Sequence, residues 1–254
     1  MIELRHITAG YGGEAVLQDL SVRFTPGKIT GILGRNGCGK STLLKTAAGL
    51  LPPDSGEVLL DGRPLGSFAP KELARQVAVL PQSREIPSIT AETLVMHGRF
   101  PYLGFPRKPR PSDRQAVEEA MRQAGVEALR QKPLGSLSGG ERQKVYLAMV
   151  LAQDTPVILM DEPTTYLDIN HQFELLRLIR RLGDKGRTVL CVMHDLGQAL
   201  EVCDEICLVD QGQVLIHDTA EAVFASHAID RVFGVCSEQV TDSAGHRHYL
   251  FREV

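Results

Sequence analysis

The stretch Gly34-Arg35-Asn36-Gly37-Cys38-Gly39-Lys40-Ser41-Thr42 decides how this chain is read. It fits G-x-x-x-x-G-K-[ST], the spacing of a phosphate-binding loop. The run before it, Lys28 to Leu33, is short, apolar and β-branched, which predicts a buried strand. The run after it, Ser41 to Leu50, sets apolar residues at helical spacing and closes on Gly49. Gly34, Gly37 and Gly39 let the backbone curl until its N–H groups converge on an anion. The start of the helix adds roughly half a positive charge. Lys40 then reaches the β- and γ-phosphates, and the Ser41 hydroxyl is placed to ligate Mg²⁺. An accidental glycine-rich turn is the competing reading, and the strand and helix on either side count against it. The expectation is a nucleoside triphosphate site.

Working outward toward the N-terminus, Ile2 to Ile7 alternates apolar and polar residues as a strand does, and Val16 to Phe24 is a second strand-like run. Between them Tyr11 sits on a glycine-flanked turn. It is either a turn aromatic at the edge of the core or a flat ring stacking on a base beside the loop. Glu57 to Leu60 and the Asp61-Gly62 turn add a small antiparallel region, so a mixed sheet is expected on the N-terminal side.

Toward the C-terminus, Val77 to Leu80 is a strand stopped by Pro81. A proline-punctuated segment follows, with Arg99, Arg107, Lys108 and Arg110 crowding one end. Thr90 to His97 reads as a helix, and so does Ser112 to Ala124 behind a Ser112-Asp113 cap. We expect an inserted helical subdomain whose basic connection is a shaped surface for a protein contact. Leu137-Ser138-Gly139-Gly140-Glu141-Arg142-Gln143 opens another helix; taken alone, its serine and glycines are a helix cap or a second anion site. Val157 to Met160 is a buried strand running into Asp161-Glu162. Taken alone these are either ordinary strand-end carboxylates or a metal-side pair, in which the first acid joins the Mg²⁺ shell and the second accepts a proton from an attacking water. A helix is expected from Ile169 to Leu182. Thr188 to Met193 is a strand ending at His194, which is either a structural histidine or a γ-phosphate contact. Two hairpins close the chain, one around Gln211-Gly212 and one around Ser243-Ala244-Gly245.

Bulk properties narrow the class. At 254 residues, with 43% hydrophobic and 23% charged residues, the chain can bury a substantial core. A net charge of −3 argues against a general nucleic-acid binder or a polybasic membrane anchor. No apolar run approaches the length of a membrane span, and the N-terminus lacks the pattern of a signal peptide. Five cysteines with no C-x-x-C spacing point to a reduced cytosolic chain. Cys203 and Cys207 read as small core residues rather than a metal pair.

Taken together, these residues resemble the ATP-binding-cassette (ABC) ATPase family over nearly the whole chain. The resemblance implies an α/β P-loop NTPase fold with a RecA-like mixed sheet, an N-terminal antiparallel β subdomain and an inserted α-helical subdomain. The core would be 1–82 and 155–234, the insertion 83–154, and a C-terminal hairpin 235–254. Tyr11 would stack on adenine, and Gly34 to Thr42 would be the Walker A loop. Gln82 would be the Q-loop glutamine near metal and water, and Leu137 to Gln143 the signature motif. Val157 to Glu162 would be Walker B, with Asp161 on Mg²⁺ and Glu162 as catalytic base. Leu167 and Asp168 would be the D-loop and His194 the switch histidine. The resemblance further implies a head-to-tail dimer in which ATP and Mg²⁺ lie between one Walker loop and the partner's Ser138-Gly139-Gly140.

Three strings also resemble the importer branch serving iron–siderophore, haem and cobalamin uptake: His97 to Pro101, Asp161 to Ile169, and Val232 to Val235. That implies a peripheral subunit on the cytoplasmic face, working with a membrane permease and, indirectly, a substrate-binding protein. The permease's coupling helix would dock after Gln82. Zinc or manganese importers, and soluble cassettes uncoupled from transport, are the alternatives.

Overall fold

The computed structural model describes residues 1–82, 86–165 and 167–253. The chain opens with β1 (Ile2–Tyr11) and β2 (Glu14–Phe24), then β3 (Ile29–Leu33), the glycine loop and α1 (Lys40–Ala47). β4 (Ser55–Leu60), β5 (Arg63–Pro64), the short α2 (Pro70–Leu73) and β6 (Val77–Leu80) follow. Next come three helices, α3 (Ala91–His97), α4 (Pro111–Gln123) and α5 (Gly139–Gln153). Strands and helices then alternate through β7 (Val157–Asp161), α6 (Ile169–Asp184), β8 (Thr188–Val192), α7 (Leu196–Val202) and β9 (Glu205–Asp210). The chain finishes with β10 (Gln213–Thr219), α8 (Ala220–Ala225), α9 (Ala228–Phe233), β11 (Val235–Thr241) and β12 (Arg247–Glu253).

The N-terminal mixed sheet expected from sequence resolves into parts of two sheets. One is wholly antiparallel, in the order β2-β1-β4-β5. β3 leaves it and joins a six-stranded sheet in the order β10-β9-β3-β8-β7-β6, parallel except for the β9–β10 edge. The separation follows from burial. β3 is buried at every residue, as a strand covered on both faces must be, whereas β2 alternates buried and exposed positions. Alternation divides the central strands between two cores. Ile158, Met160, Val189 and Cys191 face the helical side, while Leu159, Leu190 and Val192 face α1 and the antiparallel sheet.

The helical insertion departs from expectation at two places. α4 starts on Pro111 at its first helical position, and the Asp113 carboxylate accepts from the Arg110 N–H at 3.0 Å, so Ser112 is not its cap. Arg99, counted among the surface cations, turns inward. Its Nε donates to Asp113 at 3.1 Å and one terminal nitrogen donates to the Ala152 carbonyl at 2.8 Å. This pair pins the segment after α3 to both α4 and α5. Phe105, by contrast, is wholly exposed beside Arg107 and Lys108. Cys203 packs against the Met193 sulfur and Cys207 lies inside β9; burial pushes both thiols up to about 12. Among the described residues no helix is long and apolar enough to cross a membrane.

Candidate nucleotide site

Parallel strands deliver their C-terminal ends to one edge of the sheet, where open α/β sheets bind ligands. β3 ends at the glycine loop, β6 just before Gln82, β7 at Asp161 and β8 just before His194. A cavity of about 510 Å³ opens there. Its lining brings together Asn36, Gly37, Gly39, Lys40, Ser41, Thr42, Gln82, Glu162 and His194. Val16, at the start of β2, also lines it. Sequence reasoning did not single out Val16, because an apolar residue in a strand carries no mark of what it faces.

The loop geometry needs glycine at particular points. Gly34 has φ of 153°, and a Cβ there would lie 2.1 Å from the Val209 carbonyl oxygen. Gly39 has φ of 107°, and its Cβ would press on Leu17 at 2.9 Å. Inside the loop the Lys40 ammonium donates to the carbonyls of Gly34 at 2.8 Å and Arg35 at 2.9 Å. Cys38 is 6% exposed, and burial raises its thiol's pKa against the opposing pull of Lys40.

At the metal side, the Ser41 hydroxyl donates to Asp161 at 2.9 Å. Asp161 is 3% exposed, and burial raises its pKa while the Ser41 hydrogen bond lowers it. Beside it, Glu162 adopts φ of 49°, a left-handed conformation that non-glycine residues hold only at a cost. The Glu162 side chain lines the cavity. One oxygen lies 2.6 Å from His194 Nε2, and the other accepts from the Gln82 side chain. Glutamine, glutamate and histidine thus meet across strands that are far apart in sequence.

The remaining expected residues lie elsewhere. Tyr11, half-exposed, ends β1 with the Lys45 ammonium 5.8 Å from its ring centre and does not line the cavity. Ser138 caps α5. Its hydroxyl accepts from the Glu141 N–H at 3.2 Å, and its own N–H donates to the Glu141 carboxylate at 2.9 Å. Asp168 caps α6 by accepting from the His171 N–H at 2.9 Å, which holds its pKa low. A Cβ on Gly140 would sit 3.6 Å from Leu167 and 3.7 Å from His171, so the serine–glycine corner and Asp168 share one surface. Neither lines the cavity of the same chain. Tyr166, part of the run from Pro163 to Asp168, lies outside the described residues, as do 83–85 directly after Gln82.

Links between these parts were not legible in the sequence. Gln143 of α5 donates to the Pro163 carbonyl at 2.8 Å, tying the signature helix to the turn after Glu162. Gln172 donates to the Leu167 carbonyl at 3.0 Å and accepts from Gln198 at 3.2 Å, joining the start of α6 to α7.

Comparison with known proteins agrees with this arrangement. The ABC transporter family model matches residues 17–165. The iron(3+)-hydroxamate import ATP-binding protein FhuC of Bacillus subtilis (strain 168) is 40% identical over 235 residues, 92% of this chain and 87% of that one. The hemin import ATP-binding protein HmuV of Pseudomonas putida is 41% identical over 241 residues, 92% of this chain and 93% of that one. The dimeric cassette MJ0796, solved with ADP and phosphate after hydrolysis, superposes with a TM-score of 0.77 at 27% identity, covering 87% of this chain and 99% of that one. With the family model spanning more than half of the chain and these relatives matching most of both lengths, this chain belongs to the ABC transporter family.

Proposed function

We propose that this chain is the ATP-hydrolysing subunit of an importer for iron–siderophore or haem-type cargo. In this reading it sits at the cytoplasmic face of the membrane, drives a separate permease and is served indirectly by a substrate-binding protein. The observation that carries the reading is the single cavity in which Lys40 and Ser41 meet Gln82, Glu162 and His194. Iron(3+)-hydroxamate import by FhuC and hemin import by HmuV supply the direction of transport and the cargo class.

The loop amides and Lys40 hold the phosphates of ATP, and Tyr11 stacks on the base from the rim. A hydroxyl and a carboxylate 2.9 Å apart suit Mg²⁺, which takes one or two protein oxygens and keeps its waters. Ser41 and Asp161 would hold it, with Gln82 close by. Mg²⁺, when bound, neutralises charge on the phosphate oxygens. Glu162 accepts the proton of the attacking water. Gln82 and His194, each on a different Glu162 oxygen, fix the carboxylate's orientation, and His194 also faces the γ-phosphate. Ser138, Gly139, Gly140 and Asp168 of a second copy close the site. Their position outside the cavity of their own chain supports that division. Positioning and fixed charge supply most of the rate gain.

The test is reconstitution in proteoliposomes with a candidate permease. Turnover should rise when an iron–siderophore- or haem-loaded binding protein is added, and should not respond to a zinc- or manganese-loaded one. Full hydrolysis by a chain that never pairs, with no response to any permease, would overturn the proposal.

A further inference from the structure

Away from the nucleotide cavity, a cleft of about 620 Å³ runs between the end of α4, the first half of α5 and the outer face of α6. Its size is that of a pocket for a small organic molecule. Its floor is apolar: Leu80, Leu147, Leu175 and Leu178 line it, each no more than 5% exposed. Its rim is cationic, formed by Arg122, Lys144, Arg177, Arg180 and Arg181, with Glu174 the acidic member. Some of that charge is already matched. Lys144 pairs with Glu174, Arg122 with Glu119, and Arg180 with Asp184 at 3.2 Å and Asp204 at 2.8 Å. Arg177 and Arg181 have no carboxylate within ion-pair distance among the described residues; the Arg177 Nε donates only to the Phe173 carbonyl at 3.3 Å. A chain of net charge −3 thus places several guanidinium groups, two of them without a direct carboxylate contact among the described residues, at the mouth of a leucine-floored cleft. Low-dielectric walls focus such a field and favour anions.

We propose that this cleft is a regulatory binding site for an amphipathic organic anion: an apolar body against the leucine floor and a carboxylate or sulfonate on Arg177 and Arg181. Hydration keeps a fully polar anion such as phosphate in water, because the floor offers it no hydrogen bonds. A neutral or cationic body of the same shape forgoes the rim. The cleft is also the seam between the helical insertion and the sheet core. Polar contacts cross it, among them Gln143 to the Pro163 carbonyl and Lys144 to Glu174. An occupant wedged beside them sets the angle of α5, and so where Ser138 at its N-terminus meets a partner's triphosphate. Binding is independent of the function proposed above; the effect on turnover rests on it.

The probe is 8-anilinonaphthalene-1-sulfonate, with uncharged N-phenyl-1-naphthylamine as its sulfonate-free counterpart. Both are titrated into the full chain by fluorescence and calorimetry with saturating ATP present. The expected result is one sulfonate per chain, at least tenfold tighter than the uncharged compound and not displaced by ATP. Arg177→Glu with Arg181→Glu, both on the exposed rim, should weaken the sulfonate at least tenfold and leave the uncharged compound unchanged. Ala124→Trp, filling the cleft from the other wall, should remove both. Bound sulfonate should lower kcat with the KM for ATP unchanged. Displacement by ATP, equal affinity for the two probes, or indifference to the charge-reversed pair would overturn the site. Binding as expected with unaltered kcat would overturn its regulatory role, while the nucleotide reading would fail separately, through loss of ATP binding. Preference for an acidic amphipathic peptide over the sulfonate would reassign the cleft to a protein partner and overturn the small-anion assignment.

Discussion

Replacing Glu162 by Gln removes one function and leaves the surroundings nearly intact. The side chain keeps its length, so the left-handed backbone at φ of 49° and the strand before it are undisturbed. What changes is the head group. The carboxylate faces Gln82 with one oxygen and His194 with the other. An amide oxygen can still accept from Gln82 while its NH2 donates to an unprotonated His194 Nε2, so what is lost is the charge on the contacts, at a stability cost of about 0.5–1.5 kcal/mol. That is small against a domain's total stability. The amide cannot take a proton from water. Loss of a positioned general base costs ~10²–10⁴ in rate, a barrier increase of about 2.7–5.5 kcal/mol. The variant should therefore bind ATP with affinity within a few-fold of the parent and melt within a few degrees of it. Turnover should fall at least a hundredfold, and the paired, ATP-loaded state should persist. Steady-state phosphate release, nucleotide titration and light scattering on one preparation make the comparison. A kcat within tenfold of the parent would refute the assignment, because no neighbouring carboxylate could then be excused from the role.

Three further outcomes follow from geometry. Arg99→Ala leaves the Asp113 carboxylate, whose side chain is 4% exposed, without its counter-charge, so unfolding should cost about 3–5 kcal/mol less and Tm should fall by roughly 6–20 °C. Cys38, buried within a loop that has no slack, should react with iodoacetamide far more slowly than a free thiol, and ATP binding should be lost in step with its modification in mass spectra. His248 joins Glu201 at 2.8 Å and Asp242 at 3.2 Å, and these bonds raise its pKa. A raised folded pKa means the contribution is present below the ordinary imidazole range and lost as pH rises through the folded value. Docking of β12 on α7 should therefore loosen as pH rises above the ordinary imidazole range, read as faster amide exchange in β12, and His248→Gln should abolish that pH dependence.

Chemistry encoded over a few consecutive residues could be read before any fold was known. The glycine loop, the acidic end of β7, the Ser138 cap and the strand–helix alternation depend on backbone geometry and side-chain type within one turn or one strand. Sheet membership could not be read that way. β3 and β2 both read as strands, and packing on two faces rather than one sends β3 to the central sheet. The orientation of single side chains also depended on distant partners. Arg99 resembles its basic neighbours in sequence and is drawn inside only because Asp113 and the Ala152 carbonyl wait there.

The sequence by itself therefore determined the kind of chemistry, since a phosphate nest and paired acids need only their neighbours in the chain. The tertiary structure decided which of those groups meet. Gln82 reaches Glu162 across a separation of 80 residues, Ser138 and Asp168 lie outside the cavity of their own chain, and the cationic cleft exists only where α5 and α6 fail to close. Each depends on how sheet and helices pack, a long-range balance of buried area and paired charge that no local stretch of residues encodes.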